Sequence, residues 1–347
     1  MPPEEMKPIE RVLTAAEQKE PDRVPTIPLI VNAAARVTGI MLSEYAKNGT
    51  KRAEAQLAAQ EKYGHDGVTS GVDLCHEVEA MGCKIRFPED NIPSVEEHVI
   101  KKHDDLSKLS IPDPETDARM PEMLGCLKKL RKEVGDRMPV IGVGVGPFTI
   151  ASQLRGLERL LMDMRKRPDW VKKLTDFTTE VGIRYGTAQL KAGAHVLVTL
   201  EPSADALILS TKQFDEFVQL NLKKYSKAFA EAGGIWLPYM AGDTTPVLER
   251  FVEAGAPALG VDWFVDLADA KRRIGNKLLL LGNIRPLLIL YGTSEEVAKE
   301  AEECIRKAGK GGGFCLSSGC EVPPESPPEN IKAIVDTAKK FTYPLKL

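Results

Sequence analysis

Histidine and cysteine are scarce in this chain, five of one and six of the other among 347 residues. The histidines are His65, His76, His98, His103 and His195, and no two fall into an HxH, HxxxH or HExxH spacing. A metal site built from histidines alone is therefore not expected. The cysteines (Cys75, Cys83, Cys126, Cys304, Cys315, Cys320) form no CxxC pair. They read as free thiols rather than a disulfide framework or a four-cysteine zinc site. Charge of one sign is lacking too: 47 Lys plus Arg stand against 50 Asp plus Glu, a net charge of −3. That balance argues against a nucleic-acid partner. No apolar run approaches the ~18 residues of a membrane span. The opening stretch MPPEEMKPIER has acids and prolines where a signal peptide needs a basic patch and an apolar segment, so a cytoplasmic protein is expected. GVGVGP places Pro147 where a dinucleotide fingerprint needs its third glycine.

What is present is an alternation. Short runs rich in Val, Ile and Leu recur at 25–32, 66–71, 139–146, 195–201, 235–240, 258–263, 277–283 and 312–319. They are continuously apolar rather than alternating, as in a parallel sheet covered by helices. Between them lie helical patterns. Ser210 with Gln213 makes a capping box ahead of a stripe from Phe214 to Phe229, and Thr293 with Glu296 opens another helix. Helices are also expected over 175–191 and 328–340, and over 9–18 before the first strand. Eight strands, each linked to the next through a helix, predict an α/β fold: a single (β/α)8 TIM barrel spanning 1–347. An insertion at about 73–138, between the second and third strands, interrupts the rhythm. Its short strand-like pieces predict an excursion over the barrel mouth, followed by a helix over 115–135.

In such barrels chemistry sits at the C-terminal strand ends. That rule selects Asp73, Cys75, His76, Glu77 and Glu79 after the second strand, and Glu201, Ser203 and Asp205 after the fourth. It adds Tyr239, Met240 and Asp243 at the fifth, Asp262 and Trp263 at the sixth, Asn283 at the seventh, and Cys320 and Glu321 at the eighth. Glu201 closes an apolar run, where an unpaired acid is costly, which favours function. Cys320 lies in a loop mouth, whereas Cys315 reads as core and His195, at the start of its strand, as structural.

The strand ends and their loops carry a resemblance. PDRVPTIPLI (21–30), EAMGCKI (79–85), GVGPFTIASQL (144–154), EPSADALILSTKQFDEF (201–217), MAGDTTPVL (240–248), LLGNIRP (280–286) and SSGCEVPPESPPENIKA (317–333) follow one another in order. Together they resemble the uroporphyrinogen decarboxylase superfamily, within it the corrinoid-dependent methyltransferases of the methylcobalamin:coenzyme M type. The resemblance implies a single barrel and methyl transfer involving the cobalt of a corrinoid carried on a partner protein. Thiol-methylating members hold zinc through a His-x-Cys pair and a later cysteine; here Tyr239 and Ala241 stand at the pair, and Cys320 remains. Decarboxylases of the family carry several arginines after the first strand; here Arg36 stands alone in NAAARVTG. The resemblance thus implies a methylated donor, an O-methyl aromatic compound by preference, with a thiol acceptor or a decarboxylase as alternatives. Glu201, Tyr239, Asp243 and His76 are the implied catalytic residues, with Asp262, Asn283, Met240 and Trp263 around the substrate. Cys320 with Glu201 is the candidate metal pair. Whether zinc binds, and whether the chain forms a homodimer, stay open at this level.

Overall fold

A computed structural model describes residues 5–71 and 73–345. Nine strands occur among them: β1 Val68–Thr69, β2 Lys84–Arg86, β3 Ser94–Glu97, β4 Val140–Val145, β5 Val196–Leu200, β6 Ile235–Met240, β7 Ala258–Val261, β8 Leu279–Ile284 and β9 Phe314–Ser318. Seven form one parallel sheet in the order β1-β4-β5-β6-β7-β8-β9. The first apolar run joins its two edges. Thr26 bridges Leu316 in parallel, the Ile27 N–H donates to Leu316 O at 2.9 Å, and the Asp66 N–H donates to Thr26 O at 2.8 Å. All eight apolar runs are therefore staves of one ring.

The pleat sorts the side chains into two cores. Ile141, Val143, Val196, Val198, Leu237, Tyr239, Leu279, Leu281 and Cys315 turn inward and share a cluster with Ile27 and Val12. Their neighbours Leu197, Trp236, Met240, Leu259, Leu280, Phe314 and Leu316 turn outward against the helices. Helix Pro8–Ala16 underlies the ring through Val12 and Ala15.

Both expected capping boxes form: Ser210 Oγ accepts from Gln213 N at 3.4 Å and Thr293 Oγ1 from Glu296 N at 3.3 Å. The helix after Ser210 is divided, however, into Thr211–Phe217 and Gln219–Glu231. Val218 marks the break at φ −119° and ψ −49°, and Asn221 Nδ2 donates to Phe217 O across it. The apolar stripe survives the division because Phe214, Phe217, Leu222, Tyr225 and Phe229 all stay buried. The helix expected over 115–135 starts later, at Met120 with Pro121 in its first turn, and ends at Val134. Ahead of it β2 and β3 pair as an antiparallel hairpin.

The lower end of the ring is closed by charge. Asp66, fully buried, accepts from Arg11 Nη1, Arg23 Nη1, Arg23 Nη2 and Thr26 N, each at 2.8 Å. Asp22 takes Arg11 Nε at 2.6 Å and Nη2 at 2.7 Å. Two guanidinium groups and two carboxylates thus tie the N-terminal helix and the first stave to the second.

Candidate active site

A cavity of about 480 Å³ runs inside the ring. Inward side chains of successive staves wall it: Ile27, Leu29 and Val31; Ile141 and Val143; Val196, Val198 and Leu200; Ile235, Leu237, Tyr239 and Ala241; Leu279 and Leu281. Val12 and Ala16 of the N-terminal helix floor it, and Ile92, Pro93, Ser94 and Val95 of the insertion cover its mouth. Asp73, Cys75, Gln153, Tyr239, Cys320 and Glu321 supply the polar atoms near that mouth. Among the described residues no Lys, Arg or His lines the chamber.

Tyr239 and Cys320 come together at the mouth. The Tyr239 hydroxyl is buried and donates to Gly319 O at 2.6 Å. Burial, reinforced by Cys320 and Asp262, pushes this phenol well above its ordinary value, so it stays protonated. Burial also pushes the Cys320 thiol up, and Asp262 and Glu321 push it the same way. Glu321 accepts the Asn32 N–H at 2.8 Å, and burial raises its carboxyl to about 7.

The other expected site residues do not line the chamber. Glu201 follows inward Leu200 and so turns to the opposite side of its strand. There it accepts from Thr149 N at 2.6 Å and Thr149 Oγ1 at 2.9 Å, anchoring the N-terminus of helix Pro147–Arg155. A Cβ at Gly146 would overlap Glu201 Oε2, which explains the glycine. His76 is fully buried beside Asp73, Nδ1 to Oδ1 3.3 Å, and against Arg119. Burial pushes it down to about 3, so it is neutral and sits in a structural network. Met240 packs outward with no exposure. Asn283 donates to Asp262 O at 3.0 Å and to Val265 O at 2.7 Å, and with Trp263 it lines a separate depression outside the staves. Trp263 is 40% exposed and stacks on Phe264 at 4.1 Å. Asp243 caps its own loop through Thr245 N at 2.9 Å. Asp262, buried, accepts from Phe264 N at 3.3 Å, and burial raises its pKa.

Zinc does not fit these donors. The candidate pair Cys320 and Glu201 is not assembled, Ala241 offers no ligand atom, and the Tyr239 hydroxyl is engaged with Gly319. No group of three His, Cys, Asp or Glu among the described residues is placed to share a metal ion.

Arg119 was not legible in the sequence as the partner of Asp73, behind the lining of the mouth. It reaches from the insertion to Asp73 at 2.5 Å, Glu79 at 2.6 Å and Ala46 O at 2.9 Å, and it stacks over Phe87. Glu77 accepts Val145 N at 2.8 Å, where the two-residue β1 is too short to pair with the end of β4. Burial holds Glu77 at about 7 and Glu201 at about 8.

Those two carboxyls carry a pH signature. Folded values above the unfolded carboxylate range mean that the native state keeps protons the unfolded chain releases. Their stabilisation is full below about pH 4.5 and is lost as pH rises, through about 7 for Glu77 and about 8 for Glu201. Between pH 5 and pH 8 these carboxyls, with Glu321, pull the melting temperature down, while buried His65 and His76 pull it up as pH rises to about 6.5, so the fall is expected chiefly above that value. Glu201→Gln should show a smaller fall across that window. A slope equal to the wild type's in thermal melts would remove Glu201 from the linkage.

A closed eight-stave barrel with an apolar chamber and a polar mouth at the C-terminal strand ends defines an enzyme of the (β/α)8 class. More narrowly, the chain belongs to the uroporphyrinogen decarboxylase family, whose model matches residues 7–341. It is 30% identical to a methylcobamide:CoM methyltransferase of Methanosarcina barkeri over 95% of this chain and 97% of the relative. It is 28% identical to a uroporphyrinogen decarboxylase of Neisseria gonorrhoeae, over 86% of this chain and 85% of that one. Among solved structures, a methyltransferase from Methanosarcina mazei superposes with a TM-score of 0.89 at 28% identity, covering 97% of this chain and 99% of that chain.

Proposed function

We propose that this protein transfers a methyl group from a neutral methylated donor, an O-methyl aromatic compound by preference, to the cobalt of a corrinoid carried by a partner protein. The absence of Lys, Arg and His from the described chamber lining carries the reading. A polycarboxylate buried there would lack counter-charges, which weighs against decarboxylation of such a substrate. The likeness to the methyltransferases of Methanosarcina supports methyl transfer. Tyr239 and Ala241 in place of a His-x-Cys pair weigh against activation of a thiol.

The acceptor substrate is the reduced corrinoid, a strong nucleophile. Its cobalt attacks the methyl carbon, the C–O bond breaks, and the bonding pair goes to oxygen. The protein's own part is to hold the ring between apolar staves, exclude water and hydrogen-bond the oxygen as charge develops. Tyr239 is the donor suited to this: its phenol stays protonated, and its single proton turns from Gly319 O to the ether oxygen when the donor binds. Glu201, Asp243 and Asp262 hold the loops that frame the mouth, and Cys320 packs beside the phenol.

The test mixes the protein with reduced corrinoid protein and methoxybenzenes and follows the cobalamin spectrum. Conversion to methylcobalamin is expected, faster with neutral donors than with carboxylated ones. No conversion with any methylated donor would sink the reading.

A further inference from the structure

The chamber is longer than a single aromatic ring needs. On β6 alone, Ile235, Leu237, Tyr239 and Ala241 all face it, a span of about 20 Å at ~3.3 Å per residue. The same alternation repeats at Val196, Val198, Leu200 and Pro202 on the neighbouring stave. Barrels of this class ordinarily fill the interior with layers of branched side chains. Here the lower staves contribute Ala258, Val196 and Cys315, and the floor is set by Val12 and Ala16 of the helix beneath. The lining of this cavity of about 480 Å³ therefore runs the length of the staves and does not stop at the mouth.

Polarity divides along the axis. Asp73, Gln153, Tyr239, Cys320 and Glu321 belong to the mouth, while Val12, Ala16, Pro139, Val196, Ile235, Ala258 and Leu279 line the lower part. The charged network of Arg11, Asp22, Asp66 and Arg23 lies outside the lining. A ligand matching this profile has one polar end and one extended apolar end.

We infer that the barrel interior is a tail channel: the substrate is an amphipathic molecule whose reacting polar head stays beside Tyr239 and whose alkyl or aryl chain descends toward Ala16. The naming of the head as a methyl ether rests on the proposed function; the channel rests on the cavity alone. The depth limit is set by Ala16 and Ala258, the two smallest side chains of the lower lining, and these are the specificity-determining positions.

The experiment measures binding of phenol, 4-propylphenol and 4-hexylphenol to the full chain by titration calorimetry. Each methylene that enters the channel is expected to tighten binding about fourfold. Ala16→Phe should reduce the ratio of hexylphenol to phenol affinity by tenfold or more, and Ala16→Leu by less. Thermal melts confirm that both variants fold, and the wild-type series decides the matter if neither does. Affinity independent of chain length overturns the channel. So does a folded Ala16→Phe protein with the wild-type ratio. Chain-length dependence without methyl transfer from any methyl ether upholds the channel and sinks the reaction, whereas methyl transfer without chain-length dependence does the reverse.

Discussion

Replacing Asp66 by asparagine is expected to destabilise the fold by about 3–5 kcal/mol, the usual cost of removing one partner from a buried ion pair. The carboxylate is 1% exposed and accepts four hydrogen bonds, three of them from Arg11 and Arg23. An amide keeps the shape, but it removes the negative charge between two buried guanidinium groups and turns one acceptor into a donor facing them. The same residue holds Thr26 through both of its backbone-directed bonds, so the ring closure loosens with it. Urea denaturation followed by far-ultraviolet circular dichroism should show a midpoint lowered in proportion, with an unchanged slope if only stability has moved. A loss below about 1 kcal/mol would mean that surrounding groups replace the charge.

Tyr239→Phe is expected to lower turnover about 10²-fold, as removal of a hydrogen-bond donor aimed at developing charge does in other enzymes. In an apolar chamber a departing phenolate has little else to neutralise it. The phenol's hydrogen bond to Gly319 O at 2.6 Å keeps it at the mouth, and burial keeps its proton in place. The substitution leaves ring packing intact and should cost only about 1 kcal/mol of stability. A large fall in kcat with little change in KM therefore separates the chemical role from a packing role. Single-turnover formation of methylcobalamin measures it directly. A fall smaller than threefold would remove Tyr239 from the reaction and leave the mouth's remaining hydrogen-bonding groups to carry it.

The ring itself was legible in the sequence. Continuous runs such as PVIGVGVG and HVLVTLE are apolar on both faces, which only a strand covered inside and outside requires. That same property hid the site. A strand that alternates polar with apolar residues announces which side chains face in; a strand apolar on both faces does not. Glu201 therefore looked like a strand-end acid open to the cavity, yet its pleat phase sends it beneath the helix that starts at Pro147. Met240 was displaced from the chamber for the same reason, and Tyr239 was kept in it; Asn283 has the parity of inward Leu281, but its amide is drawn away to Asp262 O and Val265 O. Arg119 lies 46 residues from Asp73, and no local pattern links two charges so far apart.

Composition and periodicity by themselves determined the α/β class, the eight staves, the capped helices and the insertion at the mouth, because these follow from short-range propensity and burial. Only the tertiary structure decided which face of each stave looks inward, that the interior is an apolar cavity without cations among its described lining, and that two buried arginines close its base. Those outcomes depend on pleat phase, ring closure and long-range pairing, which are fixed when the staves come together.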